Sequence, residues 1–242
     1  MSTKPSIVFA HGLWADGSCF SKVISLLEAD GFEVIATQNQ LNTVEDDVAA
    51  VRTSLGRVSS PAVLVGHSYG GTVITAAGTD ERVGALVYIA ALAPEDGETS
   101  QAEQDKYPRT AVFDHIEVVD GRIWLKPSGT SDFCGDLSKH EQRLVWATQT
   151  APLADLFSQP VYGAAWKSKP TFYIVAANDQ TVHPDLERFV AKRMNAKITE
   201  LASSHVPMLS QPQQVYEVIR KAAETVRETA SSRAAQPAPV PA

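Results

Sequence analysis

Short apolar runs alternate with segments of helical period along most of the chain. Ser6–Ala10, 32–36, 62–65, 85–90, Thr171–Ala176 and 196–201 read as strands. Helical spacing predicts helices over 18–30, about 43–57, 69–78 and 185–194, with an amphipathic helix over 213–229 near the end. Gly31 stops the first helix, and Thr43 is a natural N-cap for the second. Glu45, Asp46 and Asp47 then fall in a first turn, where the helix dipole favours negative charge. Strands this apolar, alternating with helices, predict an α/β fold with a mostly parallel sheet of about six strands covered on both faces.

The alternation breaks between residues 94 and 169. This stretch holds Pro108, Pro127, Pro152 and Pro160, one convincing helix over 138–149, and Trp124, Trp146 and Trp166. A connection of that length is expected to be an inserted cap rather than a structureless loop. The α/β domain is therefore expected over 1–230 with the cap at about 94–169, followed by an Ala/Pro/Ser-rich disordered tail over 231–242. No internal repeat is visible.

Composition narrows the classes. The 242 residues suit one sizeable domain, and 21 basic against 28 acidic side chains give a net charge of −7, which argues against a nucleic-acid binder. The longest apolar stretch, 83–94, lies between Arg82 and Glu95 and is too short to span a bilayer. The first residues lack the layout of a signal peptide, so a soluble cytoplasmic protein is the expectation. Cys19 and Cys134 are too few for a disulfide scaffold or a cysteine-based zinc site, and read as buried small apolar residues. No metal site is expected.

Chemistry concentrates in Gly66-His67-Ser68-Tyr69-Gly70-Gly71. A strand ends there and a helix begins just after, the context in which Gly-x-Ser-x-Gly forms a sharp turn and exposes a serine at the carboxyl edge of a sheet. Ser68 is the candidate nucleophile, and the N–H of Tyr69 would point at the reacting carbonyl. The first strand runs into His11-Gly12-Leu13-Trp14, whose loop would supply a second oxyanion donor, best placed at Leu13 N–H. His11, Gly12 and Trp14 are candidates for substrate contact, although a strand-end histidine such as His11 also commonly orders its own loop.

Six histidines compete to be the base. His205 lies in a short loop after the last strand, on the edge where Ser68 emerges, and is the best placed. The orienting acid should precede it in the chain, and Asp179 follows the fifth strand directly, with Asp96 as rival.

The stretches Phe9 to Gly17, Gly66 to Gly71, Asn178 to Pro184 and Ser204 to Ser210 resemble the α/β-hydrolase superfamily. Within it they are similar to small bacterial serine hydrolases akin to plant methyl-ester esterases and hydroxynitrile lyases, over about residues 5–225. The resemblance implies Ser68 as nucleophile, His205 as base and Asp179 as acid, with no metal and no organic cofactor. Larger members carry a leading hairpin before the strand that ends at His11. The plant lyases place a threonine after the loop histidine and a lysine after the catalytic one, where this chain has Gly12 and Val206. Losing that cation disfavours departure of cyanide, so hydrolysis of a small-molecule carboxylic ester through an acyl-enzyme is the expected activity. A lactonase, amidase, perhydrolase or lyase on the same triad, or a silent ligand-binding member of the fold, would share these residues. A homodimer is left open.

Overall fold

The computed structural model describes residues 4–59 and 61–234. Its strands are β1 (Ser6–Ala10), β2 (Val34–Thr37), β3 (Ala62–His67), β4 (Val83–Ile89), β5 (Ile116–Val119), β6 (Arg122–Leu125), β7 (Thr171–Ala176) and β8 (Lys197–Leu201). Six of them form one parallel sheet in the order β2-β1-β3-β4-β7-β8, while β5 and β6 make a separate antiparallel hairpin. Every residue of β1, β3 and β7 is buried, as expected where helices cover both faces of a parallel sheet. The edge strands β2 and β8 are only partly buried.

The helices are α1 (Ser21–Ala29), α2 (Val44–Leu55), α3 (Tyr69–Ala77), α4 (Ser100–Gln104), α5 (Thr130–Cys134), α6 (Lys139–Ala147), α7 (Pro184–Arg193), α8 (Pro207–Ser210) and α9 (Pro212–Ala234). α1 packs against α9 and α2 against α3, covering the central strands. α3 is buried at every position, so its outer face also has a protein neighbour. Thr43 caps α2 as expected, accepting from Asp46 N–H at 3.1 Å. The helix expected from residue 18 opens instead as a 3₁₀ turn, Gly17–Phe20, capped by the Asp16 side chain. Both cysteines are free and buried.

Strand register places the site. Ala10 lies opposite Gly66, and Ala176 opposite Leu201. Loops leaving paired strand ends must start side by side, so the loop after β1 meets the turn after β3, and the loop after β7 meets that after β8.

The segment between β4 and β7 carries α4, the β5–β6 hairpin, α5, α6 and several 3₁₀ turns. Only α6 stood out in the sequence; Ser138 and Glu141 cap it reciprocally. The last helix also differs from expectation. It continues to Ala234, and the Ser231 and Ser232 hydroxyls bond back to the carbonyls of Arg227 and Glu228. Ala and Ser suggested coil by composition, but both are tolerated in a helix already propagating. The rest of the expected tail, 235–242, lies outside the described residues. Among the described residues no helix is long and apolar enough to cross a membrane.

Candidate active site

β3 ends at His67 and α3 begins at Tyr69, so Ser68 alone turns the chain. It does so at φ 55° and ψ −125°, a conformation that costs about 1–3 kcal/mol in a residue with a side chain. The surroundings enforce it. Ser68 N–H donates to Ile89 O at 3.1 Å, and its carbonyl accepts from Gly71 N–H (2.9 Å) and Leu92 N–H (3.2 Å). A Cβ at Gly66 would lie 2.5 Å from Gly70 O, and one at Gly70 only 2.0 Å from Ala10 O. Both outer glycines of the motif are therefore demanded by close backbone approach.

Across the sheet, His205 and Asp179 meet. Both are fully buried, with His205 Nδ1 2.5 Å from Asp179 Oδ2. The other carboxylate oxygen accepts from Thr181 N–H at 2.6 Å and Val182 N–H at 3.1 Å. With an acceptor opposite Nδ1, the neutral ring carries its proton there and leaves a lone pair on Nε2. Nε2 is buried and has no partner among the described residues. Asp96, the rival acid, is exposed and accepts from Gly163 N–H.

His67 reaches the same loop. Its Nε2 donates to His205 O at 2.8 Å, and the two rings lie 4.7 Å apart. Burial, reinforced by His205, keeps His67 well below the usual histidine range, and so neutral. His183 serves as the N-cap of α7, accepting from Asp185 N–H.

The β1 loop supplies the opposite wall. A Cβ on Gly12 would stand 2.6 Å from Ser68 Cβ and 3.1 Å from its hydroxyl, so only glycine leaves that approach open. The N–H groups of Leu13 and Tyr69 have no partner among the described residues. His11 orders its own loop and does not face the space beside Ser68. Its Nδ1 donates to Gly12 O and its Nε2 accepts from Asn39 N–H, both at 2.9 Å, and burial lowers its pKa. Substrate contact by His11 is thus set aside, because both ring nitrogens are occupied. Trp14 lines that space, at φ 54°, with its indole N–H on Ile123 O and its backbone N–H on Thr150 O.

Sequence reasoning missed three supports. Asp47 was read as a dipole partner, yet it is buried, accepts from Gln40 and Leu41 N–H, and receives the Tyr69 hydroxyl at 3.1 Å. Asp136, from the segment between β4 and β7, accepts from both the N–H and the hydroxyl of Ser204, next to His205. Glu187, on α7, is fully buried and accepts from Ala176 N–H at 2.9 Å. Only the acidic residue type was visible beforehand; the partners are remote in sequence.

The space beside Ser68 is narrow, about 10 Å³, room for roughly one water. Gln104, Phe113 and Phe157 face it from the segment between β4 and β7. The tryptophans there do other work: Trp146 N–H bonds Leu125 O, and Trp166 packs on Arg193. A larger cavity of about 370 Å³ shares no lining residue with it. Phe133, Leu137, Leu144, Val145, Val206 and Leu209 supply its apolar wall. Phe133 also packs on Trp14 (5.9 Å) and His205 (5.1 Å).

Comparison with known proteins places the chain in a family. The chain is 25% identical over 255 residues to a pyrethroid hydrolase of Sphingobium wenxiniae, covering 93% of this chain and 90% of that one. It is 25% identical over 254 residues to Methylesterase 8 of Arabidopsis thaliana, covering 87% and 86%. Among solved structures, polyneuridine aldehyde esterase superposes with a TM-score of 0.78 at 18% identity, over 90% of this chain and 99% of that one. The model of the Alpha/beta hydrolase family matches residues 7–218, and the chain belongs to that family.

Proposed function

We propose that this protein hydrolyses carboxylic esters of small molecules through a serine acyl-enzyme, with Ser68 as nucleophile, His205 as base and Asp179 as orienting acid. The observation that carries the reading is a strained serine at a strand–helix turn beside a buried Asp–His pair whose Nε2 lone pair is unpartnered. A buried acceptor without a donor is costly, and the Ser68 hydroxyl is assigned as the donor it takes.

His205 then takes the serine proton as the oxygen attacks, and the imidazolium is held by Asp179. The oxyanion would rest on Leu13 N–H and Tyr69 N–H, each donor contributing on the order of 3 kcal/mol at the transition state. The alcohol leaves with the proton from His205, and water releases the acid by the reverse sequence. No charged side chain lines the space beside Ser68, and Val206 is buried where the plant lyases carry lysine. An acyl intermediate needs no fixed cation there, whereas a departing cyanide would find none. Relatives named as a pyrethroid hydrolase and as a methylesterase support ester chemistry.

The test is a series of p-nitrophenyl esters of increasing chain length, with mandelonitrile in parallel, run on the wild type and Ser68→Ala. Sustained p-nitrophenolate release that the alanine variant loses, with phosphonate labelling at Ser68, is the expected result. Benzaldehyde release without ester turnover would replace the reading with a lyase. A progress curve that stops after about one turnover would replace it with a ligand receptor.

A further inference from the structure

Glu187 sits in the first turn of α7, fully buried, next to the loop that carries Asp179. One carboxyl oxygen accepts from Ala176 N–H at 2.9 Å. The other, Oε1, is buried and finds no donor among the described residues. The Asp179 carboxyl lies within interaction distance of the Glu187 side chain. Two carboxylates offer each other only lone pairs, so the contact is favourable only if one of them brings a proton.

The hydrogen bonds decide which one. Asp179 accepts from three donors, Thr181 N–H, Val182 N–H and His205 Nδ1, whereas Glu187 accepts from one. Donors stabilise the charged form, so the negative charge belongs on Asp179 and the proton on Glu187. The other polar neighbours do not alter this. The Tyr173 hydroxyl is occupied by Ala91, donating to its carbonyl and accepting from its N–H. Arg188 points its guanidinium at Asp185 and Glu200 on the surface. His205 already bonds Asp179.

We infer that Glu187 is protonated and donates its Oε1 hydrogen to the Asp179 carboxylate, so that the two buried carboxyls share one negative charge and Glu187 positions the acid of the triad. This rests on the reading of Asp179 and His205 given above. Burial first and the charge of Asp179 second raise the Glu187 carboxyl well above the usual range, in keeping with the geometry. The arrangement gives Asp179 a hold besides His205 and avoids a second charge in the dry core, where an unpaired one is expensive. The contribution would be to hold geometry while the imidazolium forms, without contact to substrate.

Carboxyl ¹³C NMR of the full chain, labelled at glutamate and assigned with Glu187→Gln, tests protonation without reference to activity. Across about pH 5 to about pH 8, where ordinary glutamates are ionised, the Glu187 signal should stay at its protonated position. A carboxylate signal in that range would overturn the inference, whether or not the chain hydrolyses esters. Kinetics then test the positioning role. Glu187→Leu should lower kcat about tenfold with KM unchanged, a change of about 1.4 kcal/mol in the barrier, and Glu187→Gln should recover most of that loss. An acid limb of kcat/KM that moves to lower pH in Glu187→Gln would mean a negative charge had been removed, and would sink the proposal. If the leucine variant fails to fold, the NMR signal and the glutamine pH profile still decide.

Discussion

Two regions close over Ser68, and they are held in different ways. The loops after β1, β3, β7 and β8 are fixed by backbone. Ser68 is clamped by three main-chain hydrogen bonds, Gly66 and Gly70 are pressed against neighbouring carbonyls, and Asp179 is tied to two N–H groups. The segment between β4 and β7 has main-chain bonds of its own, Trp14 N–H to Thr150 O, Val112 N–H to Gln180 O and Leu153 N–H to Leu41 O, but it also relies on separate side-chain ties. Trp14 reaches Ile123, Asp136 reaches Ser204, and Glu103 meets Arg193. Main-chain clamps are shared by any sequence that keeps the turn, whereas each side-chain tie depends on one residue. Reaction geometry thus resides where the backbone holds the turn, and the substrate-facing wall where a single substitution can remove a tie.

The sharpest way to break that comparison is at the reacting atoms. Ser68→Ala should lower kcat by up to about 10⁶ while far-UV circular dichroism and melting stay close to the wild type. Asp179→Asn should cost on the order of 10⁴ by favouring the wrong histidine tautomer. Substantial ester turnover in either variant would place the machinery elsewhere.

Next in size is Gly12→Ala. Its Cβ would intrude 2.6 Å from Ser68 Cβ, a distance no ordinary packing allows, so the serine or the β1 loop must shift. Misplacing the nucleophile or one oxyanion donor is expected to cost about 10²–10³ in kcat. Gly70→Ala clashes at 2.0 Å with Ala10 O inside the sheet and should lower stability before activity per folded molecule. Equal behaviour of the two variants, read by active-site titration beside thermal melting, would show that the boundary between site and scaffold has been drawn wrongly.

This division also explains what the sequence could reveal. The sheet strands were legible because apolar runs bounded by turns report burial on both faces, and Ser68 because a strained turn needs glycines at fixed offsets. His205 and Asp179 followed from their positions after the last two strands. The β5–β6 hairpin was not legible. Val118 and Val119 are exposed and Trp124 is only partly buried, so no alternation of core and solvent marks the strands. Asp47 reads in the sequence only as a first-turn dipole partner, and nothing there marks Asp136 or Glu187. Their partners, Tyr69, Ser204 and Ala176, lie at sequence distances that no local rule spans.

Asp136→Ala sharpens the comparison from the other side. It removes a tie across the two regions without touching substrate, leaving the Ser204 N–H and hydroxyl unpartnered beside His205. A stability loss of about 1–3 kcal/mol is expected in urea unfolding, with a moderate fall in kcat from a looser His205 loop. A change confined to KM would mean that Asp136 belongs to the substrate wall instead.

The smallest expected effect concerns how that segment is anchored as pH changes. Glu103, fully buried on α4, accepts from Ala93 N–H at 2.9 Å and pairs with Arg193, which also bonds Ala93 O. Burial pushes its carboxyl up to about 7 against the pull of Arg193. A carboxyl raised on folding binds more protons in the folded chain than in the unfolded one, where its ordinary value is 4.5. Its contribution to stability is therefore greatest below that value and erodes as the pH rises to about 7. Glu103→Gln cannot titrate, so the stability of the wild type minus that of the variant should fall across this window, with other groups cancelling. A flat difference in urea unfolding would show that Arg193 keeps Glu103 ionised throughout. The anchor would then be a plain buried ion pair, as indifferent to pH in this range as the backbone clamps around Ser68.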